Sequence, residues 1–298
     1  MTAQPPRLFD RALHRRRLDR AAAGFSAAGF LKERAAVDAV ERLEAIVREF
    51  PVAVDLGARD GAFARALASS DAKARVGAVI ETDLSPAMLA GREGPRLQAD
   101  EERLPFREQS LDLVVSTLAL HWANDLPGVL IQIRRALKPD GLFLGAILGG
   151  ETCTELRQSL TAAEAELTSG AGLRIAPFAD AYDVAGLLQR AGFALPVADV
   201  DRVKVRYPHP LKLIADLRAM GETNALAERP PPLSRAVLAR ACDIYQERFS
   251  DADGKVVATF DILTMTGWAP HESQQKPLKP GSAKVRLADA LGTTEHKL

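Results

Sequence analysis

The stretch Val52–Gly61, with the sequence VAVDLGARDG, decides the fold of this chain of 298 residues. It begins as a short apolar strand that ends at Asp55, and then places Gly57 and Gly61 four residues apart at the start of a helix. A doubly wound α/β fold forms its cofactor crevice in this way, at the carboxyl end of its first strand. The alternative is an ordinary strand–turn–helix in which Gly57 only permits the turn.

Strands and helices alternate from residue 51 onward. Apolar runs predict strands near 51–56, 75–82, 96–99, 111–118 and 141–148, and later ones at 202–207 and 256–266. Apolar residues at helical spacing predict two helices within 8–50, one at 126–137 and several after residue 150. This alternation implies an α/β fold with a doubly wound, mostly parallel sheet of seven strands.

The same order divides the chain into five segments. We predict N-terminal helices at 1–50, a cofactor-binding core at 51–206, a helical cap at 207–255, the last core strand at 256–268 and a flexible tail at 269–298. The cap is inserted before the last strand, where it can cover an acceptor site. The tail is polar and rich in Lys, Pro and Gln, so we expect it to be disordered.

Composition excludes several classes of function. The formal net charge is zero, so no overall field favours nucleic acid or a membrane surface. No apolar run approaches the roughly 20 residues that a membrane span needs. Cys153 and Cys242 lack metal-ligand spacing, which fits a reducing compartment. The arginine-rich N-terminus also contains Asp10 and Asp19, which favours a solvated helix face over a transit peptide.

The loop after the first strand is more suitable for S-adenosylmethionine than for a dinucleotide. It lacks the Gly-x-Gly-x-x-Gly pattern that brings backbone amides against the pyrophosphate of NAD or FAD. A cofactor without phosphates needs only a loop that approaches an amino acid and a ribose closely. Gly57 and Gly61 allow that approach, and the start of the next helix can face the methionine carboxylate.

Two acids follow the next two strands. Asp83 stands at the end of the second strand, where a carboxylate can accept hydrogen bonds from both hydroxyls of a ribose. Asp100 follows the third strand, where it can accept from the exocyclic amine of adenine, with the apolar residues 104–106 beside the ring. The alternatives are a cap or turn role for Asp83 and a solvated acidic loop around Asp100.

The fourth strand leads to a candidate catalytic residue. Asp112 opens this strand, and we expect it to cap the strand's start rather than to take part in chemistry. After the strand comes His121, at the place where a substrate should lie. It can act as a base or orient an acceptor. Equally, it can be a structural histidine that packs against Trp122.

Residues 50–150 together resemble the class I S-adenosylmethionine-dependent methyltransferases. The loop departs from that family at Arg59, where the family usually has glycine, so a side chain leaves the loop where none is expected. Several longer strings are similar to bacterial relatives of mitochondrial complex I assembly factor five, namely residues 120–128, 137–143, 148–152 and 216–224. More distantly, the chain is similar to the biotin-pathway enzyme that methylates malonyl acyl carrier protein.

The resemblance implies a Rossmann-like fold with S-adenosylmethionine as the cofactor. The residues that we predict to bind it are Asp55, Gly57, Ala58, Gly61, Asp83, Leu84, Asp100, Glu101 and Ser116. His121 is the catalytic candidate, and we predict no metal ligands. The resemblance also implies a protein acceptor, such as a subunit of respiratory complex I. We expect a bacterial, cytoplasmic protein.

Three hypotheses for the function remain open at this point. The first is a methyltransferase, whose cofactor supplies the reactive methyl group. The second, which the closer resemblance implies, is a hydroxylase of an arginine on a partner protein; such chemistry normally uses a metal, and no two of the five histidines are near one another in sequence. The third is a non-catalytic assembly module, favoured by Arg59 in the loop and by the basic residues 15–17.

Overall fold

A computed structural model describes residues 7–275, 282, 285 and 287–293 of the chain. Seven strands form one sheet in the order β3-β2-β1-β4-β5-β7-β6. The strands are Phe50–Leu56 (β1), Val76–Asp83 (β2), Arg96–Gln98 (β3), Leu111–Thr117 (β4), Leu137–Leu148 (β5), Ala194–Tyr207 (β6) and Val256–Trp268 (β7). Neighbours among β1–β5 pair in parallel, whereas β7 runs antiparallel to β5 and β6. The predicted doubly wound, mostly parallel sheet is confirmed.

Helices cover both faces of this sheet and one of its ends. They are Arg11–Ala21 (α1), Phe30–Glu44 (α2), Ala62–Ala68 (α3), Pro86–Leu89 (α4), Leu126–Ala136 (α5), Thr154–Leu167 (α6), Ala181–Arg190 (α7), Pro210–Ala219 (α8), Arg235–Phe249 (α9) and Leu287–Leu291 (α10). Helices α2 and α3 pack on one face of the sheet, and α5 and α7 pack on the other. Helices α6, α8 and α9 build a further apolar cluster against β5 and β7.

Local sequence explains where several helices begin. Asp10 accepts a hydrogen bond from the backbone N–H of Leu13 at the start of α1. Asp125 does the same for Gly128 at the start of α5. Each acid satisfies an N–H group that has no partner inside the helix.

The centre of the sheet fixes the place of a crevice. Strand β1 lies between β2 and β4, with Val54 in register with Ile80 on one side and with Val114 on the other. The chain runs outward from β1 through β2 to β3, and then returns to the opposite side of β1 to form β4. Ligands of open α/β sheets bind at such a reversal, outside the carboxyl ends of the strands.

Two strands are longer than the sequence predicted. Strand β6 begins at Ala194 rather than near residue 202, and its pairing with β7 shifts register between Ala194 and Val197. Strand β5 begins at Leu137 rather than near residue 141, and its pairing with β4 shifts register between Leu111 and Leu113. Pairing of the first residues of β5 with β4 satisfies backbone groups that a free turn would leave exposed.

The N-terminal region also differs in detail. The second helix predicted within 8–50 is α2, which ends at Glu44, and its apolar residue Val37 is exposed. Its buried face instead includes Ala36 and the charged residue Lys32. The face of α2 that packs on the sheet therefore carries small residues, which bring the helix close to the sheet, and the buried Lys32.

The predicted flexible tail falls partly on residues 276–281, 283–284, 286 and 294–298, which lie outside the described residues. Within the described part of the tail, residues 287–291 form the short helix α10. None of the described helices is both long enough and apolar enough to cross a membrane.

Candidate functional site

The loop between β1 and α3 is built to let other groups come close. Gly57 and Gly61 both have positive φ angles, of 78° and 76°, which suit glycine. The backbone N–H groups of Gly57 and Ala58 donate to the carbonyl of Thr82, at 2.9 and 2.8 Å. A Cβ atom on Gly57 would lie 2.3 Å from the Cβ of Ala119, so this position has no room for a side chain. The loop thus connects the ends of β1, β2 and β4.

Arg59 of this loop points into the crevice and is almost completely buried, with 1% of its side chain exposed. Its Nη1 donates to Oδ2 of Asp83 at 2.8 Å, and its backbone N–H donates to the same oxygen at 2.9 Å. Glu101 lies 3.9 Å from the same Nη1. Burial acts to lower the pKa of Arg59, but the charges of Asp83 and Glu101 outweigh burial and raise it. Arg59 therefore remains a cation inside the protein.

Asp83 ends β2 and already has three donors. Besides the two bonds from Arg59, its Oδ1 accepts from the backbone N–H of Ser85 at 2.8 Å. The carboxylate is completely buried at the crevice. The neighbouring residue Leu84 uses its carbonyl to accept from the side chain of Gln98. The hydroxyls of a ribose can reach Asp83 only if Arg59 moves away from it.

Helix α1 crosses the far end of the crevice. Arg11 of this helix donates to Oδ1 of Asp100 at 2.8 Å and also forms an ion pair with Glu101. Glu101 is buried, and its Oε1 has no hydrogen-bond partner. Beside Arg11 and Asp100 lies an open cleft of about 580 Å³, which Phe9 and Asn124 also line. The two acids after β3 therefore meet the N-terminal helix at the edge of this cleft.

A buried lysine lies behind the loop. Lys32 of α2 donates to the carbonyl of Gly57 at 2.8 Å, and to the carbonyl and hydroxyl of Thr117 at 2.6 and 2.8 Å. Both side-chain oxygens of the nearby Asp55 are buried without a partner. Burial lowers the pKa of Lys32 and raises the pKa of Asp55. Lys32 thus joins the glycine loop to the end of β4.

His121 lies in a short turn after β4, next to a carboxylate that the sequence did not single out. Its Nε2 is 3.0 Å from Oε2 of Glu222, which also accepts from the indole N–H of Trp122 at 2.9 Å. The Nδ1 atom of His121 is buried without a partner. His14 of α1 stacks on Trp122, with 4.6 Å between ring centroids.

Two cavities join Arg59 to the region under the cap. A small one of about 20 Å³ is lined by Arg59, Lys32, Leu148 and Glu222. A larger one of about 420 Å³ is also lined by Leu148 and Glu222, and reaches outward between α6, α8 and the start of α9. Its further apolar lining includes Leu156, Leu160, Ile175, Phe178, Ile214 and Leu217. Glu222 therefore stands between the cofactor crevice and an apolar cavity.

The structure brings together some of the predicted site residues and not others. Gly57, Asp83 and Glu101 all surround the guanidinium of Arg59. The hydroxyl of Ser116, by contrast, donates to the carbonyl of Leu56 at 2.7 Å and ties β4 to β1. Asp112 accepts from Lys138 and from the backbone of Val52, at the opposite end of β4 from His121.

Sequence reasoning missed Arg11, Lys32 and Glu222 as site residues. Lys32 carried a usable signal, because it occupies a position on the buried face of α2. Glu222 follows Gly221, whose φ of 77° marks the end of α8. No local pattern indicates that Glu222 meets His121, which lies 101 residues away in the chain.

The groups that line the crevice fit S-adenosylmethionine once the guanidinium of Arg59 leaves Asp83. Gly57 lets the loop lie close to the ends of β2 and β4, and Asp83 provides a carboxylate at the end of β2. The buried, unpartnered Oε1 of Glu101 is a free acceptor at the same place. The side chain of Arg59 now fills the space between these groups.

Within the described residues, no group of three or more His, Cys, Asp or Glu side chains could hold a metal ion. Cys153 and Cys242 are buried free cysteines. Burial raises the pKa of the Cys153 thiol to about 12, so this thiol stays protonated.

Comparison with known proteins agrees with this geometry. A family model described as a methyltransferase domain matches residues 54–145. Among solved structures, a putative methyltransferase from Bacillus halodurans aligns with a TM-score of 0.53 at 16% identity, over 79% of this chain and 99% of that one. At this identity the likeness shows the fold alone, and it confirms the predicted Rossmann-like methyltransferase fold.

Two groups of curated relatives match over nearly the whole chain. The protein named "Arginine-hydroxylase NDUFAF5, mitochondrial" of Danio rerio is 42% identical over 289 residues, which is 95% of this chain and 89% of that protein. The "Malonyl-[acyl-carrier protein] O-methyltransferase" of Halorhodospira halophila is 36% identical over 287 residues, 93% of this chain and 94% of that protein. Both predicted resemblances are confirmed. The chain therefore belongs to the family that includes NDUFAF5 and the malonyl-[acyl-carrier protein] O-methyltransferases, within the fold of S-adenosylmethionine-dependent methyltransferases.

Proposed function

We propose that this chain is an enzyme that binds S-adenosylmethionine at the β1–β4 crevice and transfers its methyl group to an acceptor. The observation that carries the proposal is the position of Asp83, a buried carboxylate at the end of β2 beside the glycine loop. Asp83 receives the ribose hydroxyls, and Asp100 receives the adenine amine. The loop between β1 and α3 lies beside the amino-acid part. When bound, S-adenosylmethionine supplies an electrophilic methyl group on a positively charged sulfur.

His121 is the proposed proton acceptor of the reaction. A carboxylate only accepts, so Glu222 takes the hydrogen bond of Nε2–H at 3.0 Å, and in the neutral imidazole the free lone pair then lies on Nδ1. This Nδ1 is buried and free of other partners, so it can take a proton from a hydroxyl, amine or amide acceptor. Glu222 acts through His121, because it holds the ring in one orientation and stabilises the imidazolium that forms.

The acceptor enters through the cavity of about 420 Å³ beside Glu222. Helices α8 and α9, which belong to the predicted cap at 207–255, form one side of this cavity. We propose a protein side chain as the acceptor, on a subunit of respiratory complex I in the bacterial cytoplasm. The name of the malonyl-[acyl-carrier protein] O-methyltransferase relatives supports an acceptor attached to a protein, and the name of the NDUFAF5 relatives specifies an arginine.

Calorimetric titration with S-adenosylhomocysteine tests the cofactor part of the proposal. We expect S-adenosylhomocysteine to bind to the wild type, or at least to R59G, which lacks the side chain that fills the crevice. We expect R59G/D83N to lose this binding. The double variant removes both members of the ion pair, so it leaves no unpaired buried charge from that pair. D112N is the matched control, because Asp112 is a carboxylate at the opposite end of β4. Absence of binding in folded wild type and R59G alike would favour the non-catalytic assembly module.

Transfer itself is tested with labelled cofactor. Purified protein and S-adenosylmethionine with a radioactive methyl group are added to an extract of cells that lack the gene for this protein. We expect the label in a protein, with loss of labelling in H121N. In E222Q we expect slower labelling and a changed pH profile, which a merely structural role of Glu222 would not produce. Equal labelling by H121N and the wild type would exclude His121 as the base.

Arginine hydroxylation is the second candidate function. The observation that favours it is the 42% identity with a protein named as an arginine hydroxylase, above the 36% identity with the named methyltransferase. Mass spectrometry of the modified acceptor separates the two. Methyl transfer adds the mass of one CH₂ group, whereas hydroxylation adds the mass of one oxygen atom.

A further inference from the structure

Arg59 brings a positive charge to the place in the crevice where the sulfur of the cofactor would lie. In S-adenosylmethionine the sulfur joins the ribose to the amino-acid part. If Asp83 holds the ribose and the Gly57 loop receives the amino acid, the sulfur must lie between them. The guanidinium of Arg59 occupies that space now, since its Nη1 is 2.8 Å from Asp83 and 3.7 Å from the position of a Cβ on Gly57.

Arg59 has other partners close to its present position. Its backbone N–H is bonded to Asp83, and its side chain is buried in the crevice. Glu101 lies 3.9 Å from Nη1, and Glu222 lines the same small cavity as Arg59. Both carboxylates offer a new partner within the crevice. A guanidinium displaced from Asp83 therefore stays inside the site, beside the place of the sulfur.

The two forms of the cofactor differ in charge at that atom. S-adenosylmethionine has a cationic sulfonium, whereas S-adenosylhomocysteine has a neutral thioether. A guanidinium near the sulfur repels the first and not the second, and this repulsion is stronger among buried groups such as Arg59, Asp83 and Glu101. We infer that Arg59 determines cofactor specificity, because its positive charge lowers the affinity for the cationic methyl donor relative to the neutral product.

This inference rests on the proposed cofactor site, and the experiment distinguishes a failure of the inference from a failure of that site. The measured quantity is the ratio of the affinity for S-adenosylmethionine to the affinity for S-adenosylhomocysteine, from calorimetry on the intact chain. We expect R59Q to raise this ratio about tenfold, the effect of one like charge in a buried site. The matched control R59K keeps the charge, so we expect it to keep the wild-type ratio. R59G provides a second uncharged variant if R59Q does not fold.

Sinefungin separates the effect of charge from the effect of the methyl group's size. It carries a protonated amine where S-adenosylmethionine carries its methyl-sulfonium centre. We expect its affinity to follow that of S-adenosylmethionine across the variants. If both cofactor forms bind and the ratio is the same in wild type, R59Q and R59G, the inference about Arg59 is wrong while the cofactor site stands. If sinefungin follows S-adenosylhomocysteine, charge is not the cause and the inference is also wrong. If no ligand binds to any folded variant, the proposed function itself fails.

Discussion

Arg59 and Asp83 form a buried ion pair in which Nη1 and Oδ2 are 2.8 Å apart, and it joins the glycine loop to the end of β2. Removing one partner of such a pair typically costs about 3–5 kcal/mol, because an unpaired charge stays buried. The pair therefore opens only when other groups replace its bonds. A ribose can replace Arg59 on Asp83, and Glu101 can replace Asp83 on Arg59.

Replacement of Lys32 tests the connection behind the loop. We expect K32M to lower the free energy of unfolding by about 3 kcal/mol, since it leaves buried carbonyls of Gly57 and Thr117 without donors. Urea denaturation measures this loss. Lys73 is an exposed lysine, so K73M is the matched control and should change stability little. A K32M protein as stable as K73M would show that the three hydrogen bonds contribute nothing net.

Arg11 is expected to hold helix α1 over the crevice. In R11M, Asp100 and Glu101 lose their ion-pair partner on α1, so local opening of this helix becomes easier. Hydrogen–deuterium exchange read by mass spectrometry should show exchange of the α1 amides faster by about tenfold. Arg16 is an exposed arginine of the same helix, so R16M controls for the loss of one positive charge. Equal exchange in the two variants would contradict a role of Arg11 in closing the crevice.

His14 should make the free energy of unfolding depend on pH. Burial, followed by the charges of Arg59 and Arg11, lowers the pKa of His14 well below its ordinary value. The unfolded chain therefore binds a proton that the folded chain refuses, and stability is lost as the pH falls below about 6.5. In H14F we expect this loss to shrink by up to about 1.4 kcal/mol per pH unit, with the ring stack on Trp122 kept. Identical slopes in thermal or urea unfolding of H14F and wild type would contradict the depressed pKa.

Filling the apolar cavity should separate acceptor binding from cofactor binding. Leu217 lines the cavity, so L217W reduces its volume without touching the crevice. We expect methyl labelling to fall at least about tenfold while affinity for S-adenosylhomocysteine stays unchanged. Leu211 lies on the same helix but is exposed, so L211W is the control. Normal labelling by a folded L217W protein would exclude this cavity as the acceptor's route.

The fold was predictable because its signals are local. Strands β1 and β4 are short and mostly apolar runs, and the acids Asp55 and Asp83 stand at or next to strand ends. The length of β6 was not predictable in the same way, because β6 is an edge strand and its first half mixes exposed apolar residues such as Val197 with Asp199. Irregular pairing with β7, and not the alternation of residues, defines where β6 begins.

The site was predictable only in part. Sequence placed Asp83, Asp100 and Gly57 at one edge of the sheet, and it identified Arg59 as a departure from the expected loop. It could not say which group Arg59 contacts, because that depends on the direction of a side chain. The pairs of Glu222 with His121 and of Arg11 with Glu101 join residues 101 and 90 positions apart, so only the folded chain brings them together.

The most direct test of the central claim is a crystal structure of the protein with bound S-adenosylhomocysteine. The account predicts that the ribose hydroxyls donate to Asp83 and that the guanidinium of Arg59 has left Asp83 but stays near Glu101 or Glu222. The claim would be contradicted by a cofactor bound without contact to Asp83, or by an Arg59–Asp83 pair that remains at its present 2.8 Å.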